Sequence, residues 1–226
     1  MDPTSGWELV DISMSMEDFL FPGDQPLTLD GPHNFLAGNN PEYIYTITME
    51  SQSGTHIQGP HYFLEHGARI DAFPLARFEG SAHVIDLAKR GADTTAEELR
   101  ALLGHVDLAG RVLVLRTGHM AELIAGAALE SSTRPGLSLE AARYLVEDRG
   151  IAMIAIDSVG VESRETIDYD VNVYLCEQEV LILECLVNLG SIVGDDLWLE
   201  AFPLKIRGVE GTPCRAIVRQ RMRKDE

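Results

Sequence analysis

Cysteine is scarce in this chain of 226 residues, with three in all, at positions 176, 185 and 214. The number is odd and the spacing fits neither a zinc knuckle nor a disulfide framework, which excludes a cysteine-stapled secreted scaffold. Cys185 sits in an apolar run and reads as a small buried hydrophobe. No apolar run approaches the roughly 20 residues that a membrane-spanning helix needs. The opening residues Met1-Asp2-Pro3-Thr4 lack a basic region followed by an apolar stretch, so no secretory signal is read there and the expected location is the cytoplasm. Basic residues are few, 18 against 36 acidic, for a formal charge of −18. Such a surface repels phosphate backbones and anionic lipid, so neither nucleic acid nor membrane is an expected partner. The one basic cluster, Arg215, Arg219, Arg221, Arg223 and Lys224, alternates with Ile217 and Met222 and reads as a last strand and a solvated tail. A phosphate-cradling glycine loop is missing, so no nucleotide cofactor is implied. With no linker, repeat or low-complexity tract, residues 1–226 are expected to form one domain.

What the chain does have is a mixture of strand and helix signals. Strands are expected at residues 7–13, 43–49, 82–87, 111–116, 151–156, 180–183 and 214–218, with the segment 197–204 before the last of them left unassigned. Those at 111–116, 151–156 and 180–183 are continuously apolar, the pattern of strands buried on both faces. A turn at Pro22-Gly23-Asp24 leads into a loop expected over residues 26–41. Thr94 or Thr95 caps a helix running to Leu103, and Ser138 caps another containing Ala142, Leu145 and Val146. Apolar strands alternating with helices predict an α/β fold with helices covering a central sheet.

The most informative segment is Ser51-Gln52-Ser53-Gly54-Thr55-His56-Ile57-Gln58-Gly59-Pro60-His61-Tyr62-Phe63. Its Gly-Thr-His core followed by a proline resembles the signature His-x-Gly-Thr-His-x-Asp-x-Pro-x-His of the cyclase family, which includes bacterial kynurenine formamidases, isatin hydrolase and polyketide cyclases. Further blocks resemble that family in order: Asp11-Ile12-Ser13, Val84-Ile85-Asp86-Leu87, Val112 to Gly118, Ile154 to Ser158, Glu184 to Leu189, and Gly211 to Ala216. The resemblance implies the family's swivelling β/β/α domain and a homodimer or higher homo-oligomer.

The family's metal-binding members hold divalent ions through the signature and through a later histidine with a glutamate twelve residues beyond it. Here Gln52, Gln58 and Tyr62 stand at three signature ligand positions, and Asn172 stands twelve residues before the matching Glu184. Neutral amides are weak donors to divalent metals, and a phenol with a pKa near ~10 must lose its proton to bind well. The expectation is therefore no cofactor. Zinc or manganese are the ions to consider, and His56, His61 and Glu184 the residues that would hold one. In an extended segment Gln52, His56, Gln58 and Tyr62 share one face and His61 the other.

The remaining polar set suits proton transfer beside a carbonyl. His56 is expected to act as general acid or base, oriented by Glu184, with Tyr62 as a third catalytic group. Gln52, Gln58, His61, Phe63, Asn172 and His119 are expected to contact a small-molecule substrate. The leading functional expectation is a metal-independent enzyme that closes a ring in a carbonyl-rich intermediate such as a polyketide. The alternatives are a metal-dependent hydrolase of a formamide, lactam or lactone, and a non-catalytic protein that binds a small molecule.

Overall fold

A computed structural model describes residues 6–33, 42–88, 90–130, 132–163 and 168–222. Its strands are β1 (Trp7–Asp11), β2 (Thr28–His33), β3 (Ile44–Thr48), β4 (His56–Gln58), β5 (Glu79–Asp86), β6 (Val112–Arg116), β7 (Met153–Ile156), β8 (Leu181–Glu184), β9 (Leu197–Pro203) and β10 (Gly211–Arg221). The α-helices are α1 (Ala96–Leu103), α2 (His119–Ile124), α3 (Leu139–Arg143) and α4 (Asp170–Glu177).

The fold is mixed α/β around a β-barrel, as the resemblance implied. Strands β5, β6, β7 and β8 run parallel, with helices in the connections between them. Antiparallel β4 continues the sheet from β8 to β10, and β9 pairs with both β10 and β5, closing the ring. Strand β1 adds to β10 through residues 217–221. Period-two alternation sorts the apolar strands between two cores. Val112, Val114, Met153, Ala155, Leu181 and Leu183 pack inside the barrel with Ile57, Ala201 and Val218. Leu113, Leu115, Ile154, Ile156 and Ile182 face outward and pack under Leu99, Leu103, Ala141, Leu145, Val171 and Leu175 from the helices. Burial on both faces is what makes these strands read as unbroken apolar runs.

Thr95, rather than Thr94, caps α1. Its hydroxyl accepts from the Glu98 amide while the Glu98 carboxylate accepts from the Thr95 amide, a reciprocal box. Ser138 caps α3 through the Ala141 amide. Part of the stretch expected as a loop at 26–41 is instead β2, paired with β3 in a separate exposed ribbon; residues 34–41 lie outside the described residues. The N-terminal residues 1–5 and the basic tail at Arg223 and Lys224 also lie outside them. Strand β10 runs well beyond the expected 214–218 because it serves β4, β9 and β1 in succession. Among the described residues no helix is long and apolar enough to cross a membrane.

Candidate active site

On β4, Ile57 points into the barrel, so His56 and Gln58 point to its outer face. The Gly-Thr-His core is held by its neighbours. Gly54 adopts a left-handed conformation, φ +62°, that a side chain would strain, and the Thr55 hydroxyl donates to the Cys185 carbonyl at 2.6 Å. The same hydroxyl oxygen accepts from the Met14 amide at 2.9 Å, so three chain segments meet behind His56.

His56 lies directly opposite Glu184 in the antiparallel β4–β8 register. Its Nδ1 faces the Gly54 carbonyl oxygen at 2.8 Å, an acceptor only, so Nδ1 carries hydrogen. Its Nε2 lies 3.5 Å from Glu184 Oε2, and Gln58 Nε2 donates to Glu184 Oε1 at 3.2 Å. Burial by itself works against a charged ring, but hydrogen bonds to the Cys185 sulfur and the Glu184 carboxylate outweigh it and push the His56 pKa up to about 10. Burial pushes the Cys185 thiol up, so the carboxylate supplies the opposing charge. The upward shift favours the protonated ring, a donor and electrostatic stabiliser, over the neutral ring that a general base would need.

These groups line a cavity of about 330 Å³. Met14, Met16, Phe19, Leu20, Phe21 and Leu27 form an apolar wall, and Tyr62, Phe63 and Tyr169 an aromatic one. The aromatic rings touch in sequence, Tyr62 and Phe63 edge to face with centroids 4.6 Å apart and Phe63 and Tyr169 tilted with centroids 5.4 Å apart. At the polar end two buried atoms, His56 Nε2 and Gln58 Oε1, have no full hydrogen-bond partner. The Gln58 amide orientation is fixed by Glu184, because the reverse would set its oxygen against a carboxylate.

Of the residues singled out in the sequence, His56, Glu184, Tyr62, Gln52, Gln58, Phe63 and Asn172 come together around this cavity. Gln52 donates from Nε2 to Glu210 Oε1 at 3.0 Å. Tyr62 is nearly half exposed at the rim, and burial of its inner part raises its pKa, keeping the phenol protonated. Two expected substrate contacts are not brought in. His61 belongs to a one-turn 3₁₀ helix over Pro60–Tyr62 that breaks the extended strand, and its Nδ1 turns to the Leu64 carbonyl, 3.3 Å away. His119 is packed at the start of α2 with Nδ1 2.8 Å from Ser158 Oγ, and burial drops its pKa to about 4. Conversely, Cys185 is more than a core filler, since it lines the cavity beside His56. Glu162, Arg134, Asp24 and Glu50 also line it and carried no spacing signal in the sequence.

The donor set does not fit a divalent ion. Among the described residues no three His, Cys, Asp or Glu side chains converge to hold one. Gln58 presents its NH₂, not its oxygen, to Glu184, and Gln52 donates to Glu210, neutral amides that are weak donors to a divalent ion. His61, the conditional third ligand, lies outside the cavity.

The sequence and the fold both have known relatives. Over 219 residues the chain is 27% identical to kynurenine formamidase of Bacillus mycoides, covering 96% of this chain and 98% of that one. Isatin hydrolase A from Labrenzia aggregata, solved with benzyl benzoate bound, superposes with a TM-score of 0.83 at 20% identity, over 97% of this chain and 96% of that one. A structure described as a potential metal-dependent hydrolase with cyclase activity gives 0.74 at 22% identity, over 96% and 100%. The family described as "Putative cyclase" matches residues 10–163. That match spans more than half of the chain, and by it the protein belongs to the cyclase family.

Proposed function

We propose that this chain is a metal-independent acid–base enzyme that closes a ring in a small, carbonyl-rich substrate by aldol-type condensation. The observation that carries the reading is the pair of buried orphan atoms at the polar end of the cavity, His56 Nε2 and Gln58 Oε1. With the ring protonated one is a donor and the other is an acceptor, on neighbouring outward positions of one strand. A substrate with a 1,3-dicarbonyl unit in its keto form matches this pair where one carbonyl oxygen meets the donor and a hydroxyl of the same molecule meets the acceptor. Charge growing on that carbonyl oxygen during proton removal is stabilised by an imidazolium fixed in a buried site.

The proton between two carbonyls is acidic enough for a carboxylate to remove, so this chemistry needs neither a Lewis acid nor activated water. Amide hydrolysis demands a stronger nucleophile, which metal-dependent enzymes obtain by lowering the pKa of bound water. The apolar and aromatic walls favour a folded, largely neutral ligand.

Hydrolysis of a formamide, lactam or lactone is the second reading, supported by the kynurenine formamidase relative. Elemental analysis of the purified protein and assay after chelation separate the two. Substoichiometric metal with chelator-resistant activity on a poly-β-carbonyl compound is expected. Stoichiometric zinc or manganese with chelator-sensitive amide hydrolysis would replace the first reading by the second. If turnover survives His56→Ala unchanged, the assigned role of His56 is wrong.

A further inference from the structure

Both ring nitrogens of His56 face oxygens, the Gly54 carbonyl at 2.8 Å and Glu184 Oε2 at 3.5 Å, which places the ring to donate to an enolate oxygen rather than to take a proton from carbon. The charge of Glu184 is committed to that ring and to the Gln58 amide. A second carboxylate, Glu162, lines the same cavity. It is buried, with 5% of its surface exposed, and among the described residues no cation forms an ion pair with it.

Its position is tightly fixed. Glu162 Oε1 accepts from the Val171 amide in the first turn of α4 at 2.9 Å, and Oε2 accepts from Asn172 Nδ2 at 2.5 Å. Behind it, Gly136 approaches so closely that a Cβ there would lie 2.5 Å from the Glu162 carbonyl carbon. A carboxylate offers about four lone-pair sites, and two are used. Asn172 thus serves the site by holding a carboxylate. The two amides act in parallel, Gln58 on Glu184 and Asn172 on Glu162.

We propose that Glu162, positioned by Asn172 and the Val171 amide, is the base that removes the substrate proton; the assignment rests on the ring-closure reading above. A carbon–hydrogen bond next to a carbonyl breaks and its proton passes to Glu162. The electron pair becomes the enolate, whose oxygen accepts from His56 Nε2–H. The enolate carbon then bonds to a second carbonyl carbon of the same molecule, and the oxygen released from that double bond takes the proton back from Glu162. No oxidant or reductant is involved.

The half-reaction can be read without knowing the natural substrate. 1-Phenylbutane-1,3-dione deuterated at its methylene is incubated with the protein, and loss of deuterium is followed by NMR. The wild-type chain accelerates exchange. Glu162→Gln lowers the catalysed rate roughly 10²–10⁴-fold while binding of the diketone, measured by calorimetry, changes little. Asn172→Ala retains exchange but moves the acidic limb of the pH–rate profile to higher pH, because its hydrogen bond opposes the rise that burial imposes on Glu162. Asp170, which raises the Glu162 pKa, and Arg134, which lowers it, remain in place in that variant. Exchange at the wild-type rate in Glu162→Gln, or an unmoved limb in Asn172→Ala, overturns the assignment alone. A wild-type protein that gives no exchange above the buffer rate overturns the ring-closure reading itself.

Discussion

His56 and Glu184 are cross-strand partners, placed opposite each other by the register of β4 on β8. The backbone ladder, more than the reach of either side chain, therefore sets their separation. In Glu184→Gln the carboxylate charge is lost while the contact with the Cys185 sulfur remains, so the His56 pKa falls from about 10. Titration of the His56 ring by NMR checks this; a value that stays high refutes the pairing.

The same pairing makes stability depend on pH. A histidine whose folded pKa is raised contributes stability that is fully present below its unfolded value and is lost as pH rises through the folded value. Wild-type stability should therefore decline between about pH 6.5 and 10, by a few kcal/mol from this group. Denaturant melts across that window should show the decline in the wild type and a flatter curve in His56→Gln.

Gly136→Ala is expected to be severe despite its size. The added Cβ would fall 1.9 Å from the Ser163 nitrogen, and backbone cannot turn aside as a flexible side chain can. The 162–163 segment must shift, at a cost of about 1–3 kcal/mol, and Glu162 moves with it. Chemical denaturation measures the loss of stability, and diketone exchange should fall with it.

Asp157 ends β7 and gathers three donors, the Thr117 amide at 2.6 Å, the Thr117 hydroxyl at 2.6 Å and the Gly118 amide at 2.8 Å. Asp157→Ala leaves these buried groups short of an acceptor and should cost about 2–5 kcal/mol. Asp157→Asn keeps one acceptor oxygen and should lose less. Equal midpoints for the two variants in urea would contradict this account.

Tyr62→Phe tests the catalytic role expected of that phenol. Raised by burial, the hydroxyl does not ionise near neutral pH. The substitution should leave the pH profile of exchange unmoved and change the rate less than about tenfold, below the span of an acid–base group. A vanished basic limb would show that Tyr62 transfers a proton.

Elements buried on two faces were the ones most legible in the chain. Strands β6, β7 and β8 announce themselves as apolar runs because both cores demand it, and the Thr94-Thr95 pair marks the start of α1, the structure choosing Thr95 as its cap. Helix α4 gave no such sign. Val171, Asn172, Val173 and Tyr174 are middling helix formers, and packing of Val171, Tyr174 and Leu175 in the outer core decides the matter. The ribbon of β2 and β3 is exposed along nearly its whole length, so no core imposes a readable pattern on it. In the site, the likeness to the cyclase family carried His56 and Glu184, but their charge state needed the register and the burial. His61 and His119 drew notice as histidines alone; a 3₁₀ turn removes one and the Ser158 contact the other. Glu162 could not be found in advance, since nothing in its spacing ties it to Asn172 ten residues on.

Strand β4 has its ladder partners far along the chain. Gln58 and Glu184 are separated by 126 positions, and β10, which carries Gly211 opposite Gln58, comes later still. Contacts of that separation form late, because the entropy of closing long loops must be met before they are rewarded. The parallel strands β5 to β8 can assemble with their helices before β4 is seated. The arrival of His56 beside Glu184 would then be among the last events of folding, and the His56 ring proton a reporter of its completion.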